Sequence, residues 1–261
     1  MALAFHDAAP TNAQMSLLDI YNAYFEVVPA TTPALLNEAH RLRYQVYCVE
    51  NSFEESEANP DGLETDEFDD RSCQSLLVHR ATGAVAGTVR LILPDERGSI
   101  SLPALTVSEA LRNHARRAMP RHTTAEISRF SISKNFRRRI EDGRWPAVYE
   151  GPAGGEDNRR ILPHMTLGLM QAIVSMSIEN GITHWSAAVE TPLLRLLKRL
   201  GIHFHSVGPL VEYHGLRQPV YNSLAELLDG IYGERPDVWD VITKKGRLRA
   251  APAALPLTVA C

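Results

Sequence analysis

The sequence predicts a mixed α/β protein of the α+β type, with a central, mixed, twisted sheet flanked by helices. Two apolar runs, 75–79 and 84–93, are separated by the turn Arg80–Gly83, which is typical of an antiparallel hairpin. Farther along, strand and helix patterns alternate between residues 124 and 200, which indicates a βαβ crossover. Antiparallel strands early and a crossover later define the predicted class.

The first part of the chain predicts one strand and one helix. Tyr24–Val28 alternates and is stopped by Pro29. Thr31 or Thr32 can cap a helix that has Pro33 in its first turn and an apolar stripe extending to about residue 48. After the hairpin, residues 105–119 predict a helix rich in arginine.

The second part of the chain begins with the strand Thr124–Ser133. Residues 140–164 are rich in glycine and proline and predict a long loop, which is typical of a functional or mobile segment. An apolar helix at 165–180 and a strand at 183–189 follow. Further predicted elements are a helix at 193–200, strands or turns within 205–214 and 218–224, and a helix at 225–232.

This pattern predicts three regions in the 261 residues. Residues 1–20 predict a flexible N-terminal arm. Residues 21–232 form the folded domain, and 233–261 form a C-terminal extension that is partly disordered. The content of 44% hydrophobic and 22% charged residues is that of an ordinary globular protein with a substantial core.

Composition excludes several functional classes. A net charge of −4 argues against nucleic acid as a partner. Three widely spaced cysteines and scattered histidines predict no disulfide framework and no metal site. The apolar run Met165–Ile178 is too short to span a bilayer, and the N-terminus lacks the basic start of a signal peptide. We therefore expect a cytoplasmic protein without a transmembrane segment.

The segment 124–133 combines strand alternation with charges at Glu126 and Arg129. On a regular strand these two side chains point to opposite faces, but a β-bulge between them would put both on one face. A carboxylate held on a central strand beside a basic group can act as a catalytic base. The alternative is an edge strand with a surface ion pair.

A dense acidic run occupies residues 51–71. Such runs are usually solvated surface, but Leu63 and Phe68 give this one apolar anchors. An ordered acidic loop would suit a cationic ligand such as a substrate ammonium. Arg90, inside a predicted strand, requires a partner because burial of a lone charge is costly.

With these features in this order, the chain resembles acyltransferases of the GNAT (acyl-CoA N-acyltransferase) fold, in the branch of autoinducer synthases and long-chain N-acyl amino acid synthases. The resemblance is carried by LRYQVY at 42–47, Phe53, GLETDEFDD at 62–70, GTVRL at 87–91 and EISRF at 126–130. It covers about residues 24–225, so that 21–232 becomes a GNAT-like acyltransferase domain. In amino-acid sequence, several segments are most similar to those of acyltransferases associated with the PEP-CTERM/exosortase sorting system.

Two departures from the autoinducer synthase pattern affect the expected substrates. Phe53 stands where that pattern has tryptophan, which argues against its S-adenosylmethionine pocket. The pyrophosphate-binding motif of acetyl-CoA-dependent members does not follow residue 133. The resemblance therefore implies no tightly bound cofactor, with acyl carrier protein (ACP) rather than CoA delivering the acyl chain.

The resemblance also implies roles for particular residues. Glu126 is the expected base, and Arg129 fixes or tunes it. The residues expected to bind substrate all lie in the matched motifs: Arg43, Tyr47, Phe53, Asp66, Asp69, Arg90 and Phe130. The alternative is structural, with the arginines pairing with Asp66, Asp69 and Glu126 to hold the acidic loop. A basic patch, Arg137, Arg138 and Arg139, would suit the acidic face of ACP or would simply be solvated.

The predicted function is transfer of a fatty acyl group from ACP to the amine of an amino acid or similar small acceptor. The first alternative is an acyl-homoserine-lactone synthase that uses S-adenosylmethionine. The second is a non-catalytic domain that senses acyl chains or carrier protein.

Overall fold

The computed structural model describes residues 16–95, 101–141 and 157–249, without the side chains of 137, 139–141 and 157–160. Its helices are α1 Leu17–Tyr24, α2 Pro33–Tyr44, α3 Pro103–Val107, α4 Glu109–Ala118, α5 Lys134–Glu141, α6 Asp157–Glu179, α7 Thr191–Arg199, α8 Leu224–Glu234 and α9 Pro236–Ile242. Its strands are β1 Phe25–Pro29, β2 Ser72–His79, β3 Val85–Ile92, β4 Thr124–Ile132, β5 His184–Glu190, β6 His205–Ser206, β7 Val211–Glu212 and β8 Leu216–Ser223.

The strands form one eight-stranded sheet in the order β1-β2-β3-β4-β5-β8-β6, and β7 pairs with β8. β4 and β5 are parallel, whereas the other pairings in the described chain are antiparallel. The connection between the parallel strands contains α6, as a parallel crossover requires. This confirms the predicted mixed sheet, with an antiparallel hairpin first and a βαβ unit later.

The two faces of the sheet are covered by different helices. α6 packs on β1, β2 and β3 and contributes to the larger core, which contains Leu91 and Trp185. A smaller core on the opposite face packs Ile92 against Leu102 and Leu105 at α3. Because side chains alternate along a strand, Ile92 and Arg90 share this second face, where α2 also contacts the sheet.

The capping signals at α2 are confirmed. Thr32 Oγ1 accepts the Leu35 N–H at 3.3 Å, and Pro33 occupies the first turn. The last turn departs from the prediction, because the chain widens into a π-helix over Gln45–Glu50. π-Helical turns are frequent at functional sites, and this one carries Tyr47.

Several predicted boundaries were wrong. α1 starts at Leu17, inside the predicted arm, and the predicted helix 105–119 is two helices broken at Ser108. α6 begins at Asp157 and continues through Pro163, so the predicted loop 140–164 ends earlier; residues 142–156 lie outside the described residues.

The predicted C-terminal extension also begins too early. α9 lies in the core, with Val238, Trp239 and Ile242 almost fully buried, so the folded domain extends past residue 232. Residues 250–261, where the disordered tail is predicted, lie outside the described residues.

The apolar helix is longer than its sequence run suggested. Within the described ranges, Ile161–Glu179 is long and apolar enough to cross a membrane, but 78% of that stretch is buried inside the fold. Its packing against the sheet accounts for its apolar character without a bilayer.

Gly87 permits a close approach between β3 and β4. A Cβ at this position would lie 2.9 Å from the Ser131 carbonyl oxygen and 3.3 Å from Leu169 Cδ1. We expect Gly87→Ala to destabilise the fold by about 1–3 kcal/mol, because the contacted backbone cannot move freely. Urea unfolding checks this against Gly233→Ala, whose added methyl meets nothing within 4 Å. Equal midpoints for the two variants would contradict it.

Candidate active site

A β-bulge in β4 organises the site. Arg90 pairs with Ser128 and Thr88 pairs with Ser131, so β4 holds one more residue than β3 between these pairs. Arg129, inside the bulge, has a φ of +49°, which is unusual for a residue with a side chain. Its guanidinium therefore reaches the face that Glu126 and Arg90 occupy, as the predicted bulge required.

The arginine–carboxylate cluster on this face consists of Arg43, Arg90, Arg129, Glu64, Asp66 and Asp69. Arg43, from α2, is completely buried. Its Nε donates to Glu64 Oε2 at 2.6 Å, and Nη1 and Nη2 donate to the two oxygens of Asp69 at 2.6 and 3.0 Å. Arg43 is thus saturated by the acidic loop.

The other two arginines close the cluster. Arg90 is 1% exposed and binds both oxygens of Asp66, at 2.5 and 2.8 Å. Arg129 donates to Glu64 Oε1 at 2.7 Å and to Asp66 Oδ2 at 3.1 Å. The structure therefore supports the structural alternative for the acidic loop, with Glu64 as Arg129's partner in place of Glu126.

The cluster keeps its carboxylates ionised. Burial opposes the charge on Glu64, but hydrogen bonds from Arg129 and Arg43 outweigh it and lower the pKa of Glu64 to about 2. The pKa values of Asp66 and Asp69 are also lowered, with burial again the opposing effect and with Arg90 and Arg43 as their respective hydrogen-bonding partners. At neutral pH, three guanidinium groups thus face three carboxylates.

Glu126 lies apart from the cluster and is 1% exposed. Its Oε2 accepts the Ala104 N–H at 2.9 Å, at the start of α3. Burial raises the pKa of Glu126 to about 8, although the Ala104 N–H and the charge of Arg90 lower it. At pH 7 this carboxyl is therefore mostly protonated, and the fraction that is ionised and able to accept a proton grows as the pH rises towards 8.

A cleft opens where β4 and β5 diverge. The two strands pair only between Thr124–Glu126 and His184–Ser186. Beyond these residues a cavity of about 140 Å³ lies between 127–130 of β4 and 187–190 of β5. The residues of the bulge thus line a cavity, and backbone N–H groups at such a position can bind a substrate amide or an oxyanion.

Two further elements contribute to this cleft. Tyr47 of the π-helix and Arg217 of β8 line it together with Phe130 of β4. The guanidinium carbon of Arg129 lies 4.7 Å from the centroid of the Tyr47 ring, and that of Arg217 lies 5.2 Å from the centroid of Phe53. The rings expected to bind substrate thus stack on arginines beside the cleft.

The predicted carrier-binding residues lie on α5, which directly follows β4. Arg138 is exposed, whereas the side chains of Arg137 and Arg139 lie outside the described residues. At the start of this helix, the backbone N–H of Lys134 donates to Glu50 Oε1 at 3.2 Å. A carboxylate therefore occupies the helix terminus at which a phosphate group could otherwise bind.

Sequence reasoning missed Glu64, His214 and Arg217 as members of the site. Glu64 is 2% exposed although it belongs to a very acidic run, and no local pattern distinguishes it from its neighbours. Arg217 offered a signal, because a charge within a strand requires a partner, as was argued for Arg90. In the described part of the chain no group of three His, Cys, Asp or Glu side chains could hold a metal ion.

Comparison with known proteins identifies the architecture. Residues 42–142 match the model of the acetyltransferase (GNAT) domain. No curated protein matches the sequence.

Three solved structures match most of the chain. TofI, in a ternary complex with an inhibitor and MTA, is 19% identical, with 80% of this chain and 96% of that chain covered and a TM-score of 0.51. BjaI, a CoA-dependent acyl-homoserine lactone synthase with SAM and isopentyl-CoA, is 20% identical, with coverage of 88% and 90% and a TM-score of 0.51. MesI, another such CoA-dependent synthase, is 18% identical, with coverage of 84% and 94% and a TM-score of 0.51.

Identities this low establish the fold alone. With the diverging strands β4 and β5, these matches show that the chain has the GNAT fold of acyltransferases.

Proposed function

We propose that the protein is an N-acyltransferase that moves a fatty acyl group from a thioester donor to the amine of an amino acid or a similar small acceptor. The observation that carries the proposal is the cleft between β4 and β5, with the residues of the bulge on one wall. A thioester lying there would have its carbonyl close to the N–H groups of 128–130. Such groups can stabilise the oxyanion that forms when an amine attacks.

Glu126 would serve the proton chemistry of this reaction. An ammonium that becomes an amide must lose two protons, one before and one during or after attack. Glu126, with a pKa of about 8, is suited to the second. Because it does not line the cleft, the proton must pass through water or through the phenol of Tyr213, whose pKa is raised by burial and by the charge of Glu126.

We propose ACP as the donor's carrier because of the start of α5. Glu50 accepts the Lys134 N–H there, and Lys134 Nζ reaches Asn51 Oδ1 at 2.6 Å. A CoA pyrophosphate at this helix terminus would have to displace a carboxylate of like charge. A carrier protein delivers its acyl chain on a pantetheine arm without that pyrophosphate and instead offers an acidic surface.

The ACP proposal predicts a charge effect at Arg138. We expect Arg138→Glu to lower kcat/KM for acyl-ACP by about tenfold at low salt, with a smaller loss at high salt because the ions screen the attraction. The rate with the same acyl group on free pantetheine should be unchanged. The control is Arg116→Glu, an exposed arginine of α4. Equal losses with both donors would contradict carrier docking at α5.

The decisive test of function is acyl transfer by purified protein with acyl-ACP, acyl-CoA and a panel of amines. An N-acyl amino acid product supports the proposal. A lactone formed from S-adenosylmethionine would instead identify an autoinducer synthase, and tight binding of ACP without turnover would identify a sensor. The cytoplasmic setting and the exosortase association rest on sequence resemblance and are part of the proposal.

A further inference from the structure

A left-handed turn places His214 beside the cleft. Residues 213–215 join β7 to β8, and His214 and Gly215 have φ values of +52° and +90°. The carbonyl oxygen of His214 accepts from Arg217 Nη2 at 2.5 Å. Its ring contacts that of Tyr47, which lines the cleft, and a histidine held in this unfavourable conformation there is a candidate for function.

The imidazole of His214 faces Glu54. Its Nε2 lies 3.5 Å from Glu54 Oε1, and its ring stands edge-on to that of Tyr47, with centroids 6.1 Å apart. The backbone of Phe53 also favours the protonated form of the imidazole. In the tautomer that carries its proton on Nδ1, the neutral ring presents the Nε2 lone pair to Glu54.

The contact between His214 and Glu54 lacks a shared proton when the imidazole is neutral. Burial lowers the pKa of His214, and the charges of Arg129 and Arg217 lower it further, whereas Glu54 raises it. At neutral pH the ring is therefore uncharged. In the Nδ1–H tautomer, the Nε2 lone pair and the Glu54 carboxylate are two acceptors facing each other, and a donor between them would bond to both.

Glu54 also retains the capacity to bind a cation. Its distances to His214 and to Arg129 Nη2 are 3.5 and 3.7 Å, longer than hydrogen bonds, and it is 32% exposed. Asp66 and Asp69 differ, because Arg43, Arg90 and Arg129 already bind them closely. Asp66 and Asp69 are therefore less available than Glu54 to bind an ammonium group.

We infer that Glu54 and His214 form the amine site of the acceptor, with Glu54 binding the ammonium group and His214 taking its first proton. The inference rests on the proposed function and assigns that reaction its second substrate site. It also replaces Asp66 and Asp69 as the acceptor's anchors.

In the proposed step the ammonium group of the acceptor loses two protons. The ammonium transfers one proton to Nε2 of His214, which becomes an imidazolium paired with Glu54. The free amine lone pair attacks the thioester carbonyl, so that a C–N bond forms. The second nitrogen proton then leaves, the C–S bond breaks, and the departing thiolate takes up one proton as the other passes to solvent.

The test uses His214→Asn and Glu54→Gln in the full chain, with saturating acyl-ACP and varied amine between about pH 6 and 9. Asparagine tolerates the left-handed backbone, so the turn should survive. We expect His214→Asn to lower kcat/KM for the amine by at least about tenfold near pH 6.5. The deficit should shrink as the pH approaches the pKa of the amine, because the acceptor then arrives neutral.

Glu54→Gln should show a different pattern. We expect it to raise KM for the amine by about fivefold or more with little change in kcat, because it removes the attraction for the ammonium but keeps the base. The controls are Glu57→Gln, an exposed carboxylate of the same loop, and His203→Asn, a histidine paired with Glu234 on the surface. Both should stay within about twofold of the wild type.

The outcomes separate the inference from the function. Wild-type kinetics in folded His214→Asn and Glu54→Gln would overturn the amine site and leave the acyltransferase proposal intact. A His214→Asn deficit that is constant with pH would also overturn the role in proton transfer. If the wild type acylates no amine in the panel, both proposals fall. If His214→Asn does not fold, the effect of Glu54→Gln on KM decides.

Discussion

Glu126→Gln is expected to lower turnover by about 10²–10⁴-fold while it makes the fold more stable at alkaline pH. Glutamine has the same shape, and its amide oxygen can still accept the Ala104 N–H. It cannot take a proton from nitrogen. The rate loss is therefore that of a missing general base.

The gain in stability follows from linkage. The folded-state pKa of Glu126 is about 8, above the usual value of 4.5, so the folded protein retains a proton that the unfolded chain loses. Stability contributed by this group is fully present below about pH 4.5 and is lost as the pH rises through 8. At pH 8 the ionisable carboxyl costs on the order of a few kcal/mol, and glutamine removes that cost.

Two measurements check this prediction. Thermal unfolding of both proteins at pH 5 and pH 8 should give similar midpoints at the lower pH and a higher midpoint for Glu126→Gln at the higher pH. The turnover of the wild type should rise towards pH 8, and the rise in the variant should be smaller, because only the growing fraction of neutral amine contributes to it. A loss below about threefold in a folded variant would show that Glu126 only anchors the start of α3.

The features predicted correctly are those encoded locally. The capping of α2 by Thr32, the hairpin of β2 and β3, and the strand β4 each have a signature within a few residues. The bulge at Arg129 was also indicated locally, because a regular strand puts Glu126 and Arg129 on opposite faces and a bulge would put both on one face. These features can be predicted because hydrophobic periodicity and turn-forming residues determine the backbone conformation of a few neighbouring residues.

The missed features depend on contacts between distant segments. α9 was assigned to an extension because its polar and basic neighbours mask a buried segment around Trp239. Glu64 differs from the exposed acidic residues around it only because Arg43 and Arg129 approach it from α2 and β4. His214 meets Glu54 across 160 residues of sequence, and nothing near either residue indicates that pairing.

Glu64→Gln is expected to cause the largest loss of stability, about 3–5 kcal/mol at neutral pH. Glu64 is 2% exposed and receives Arg43 Nε at 2.6 Å and Arg129 Nη2 at 2.7 Å. Glutamine keeps one acceptor oxygen but removes the charge that two buried guanidinium groups share. Leaving buried charges without compensation costs more than the pair itself contributes.

The pH dependence of this loss has the opposite sign to that at Glu126. The folded-state pKa of Glu64 is about 2, below the usual 4.5, so its charge contributes stability that is present above about pH 4.5 and is lost as the pH falls towards 2. The gap between wild type and Glu64→Gln should therefore close over that range. Urea unfolding from pH 7 to pH 3 measures it, with Asp70→Asn, an exposed carboxylate of the same loop, as the control. A pH-independent gap, or a loss no larger than that of Asp70→Asn, would mean that the cluster does not hold the acidic loop through charge.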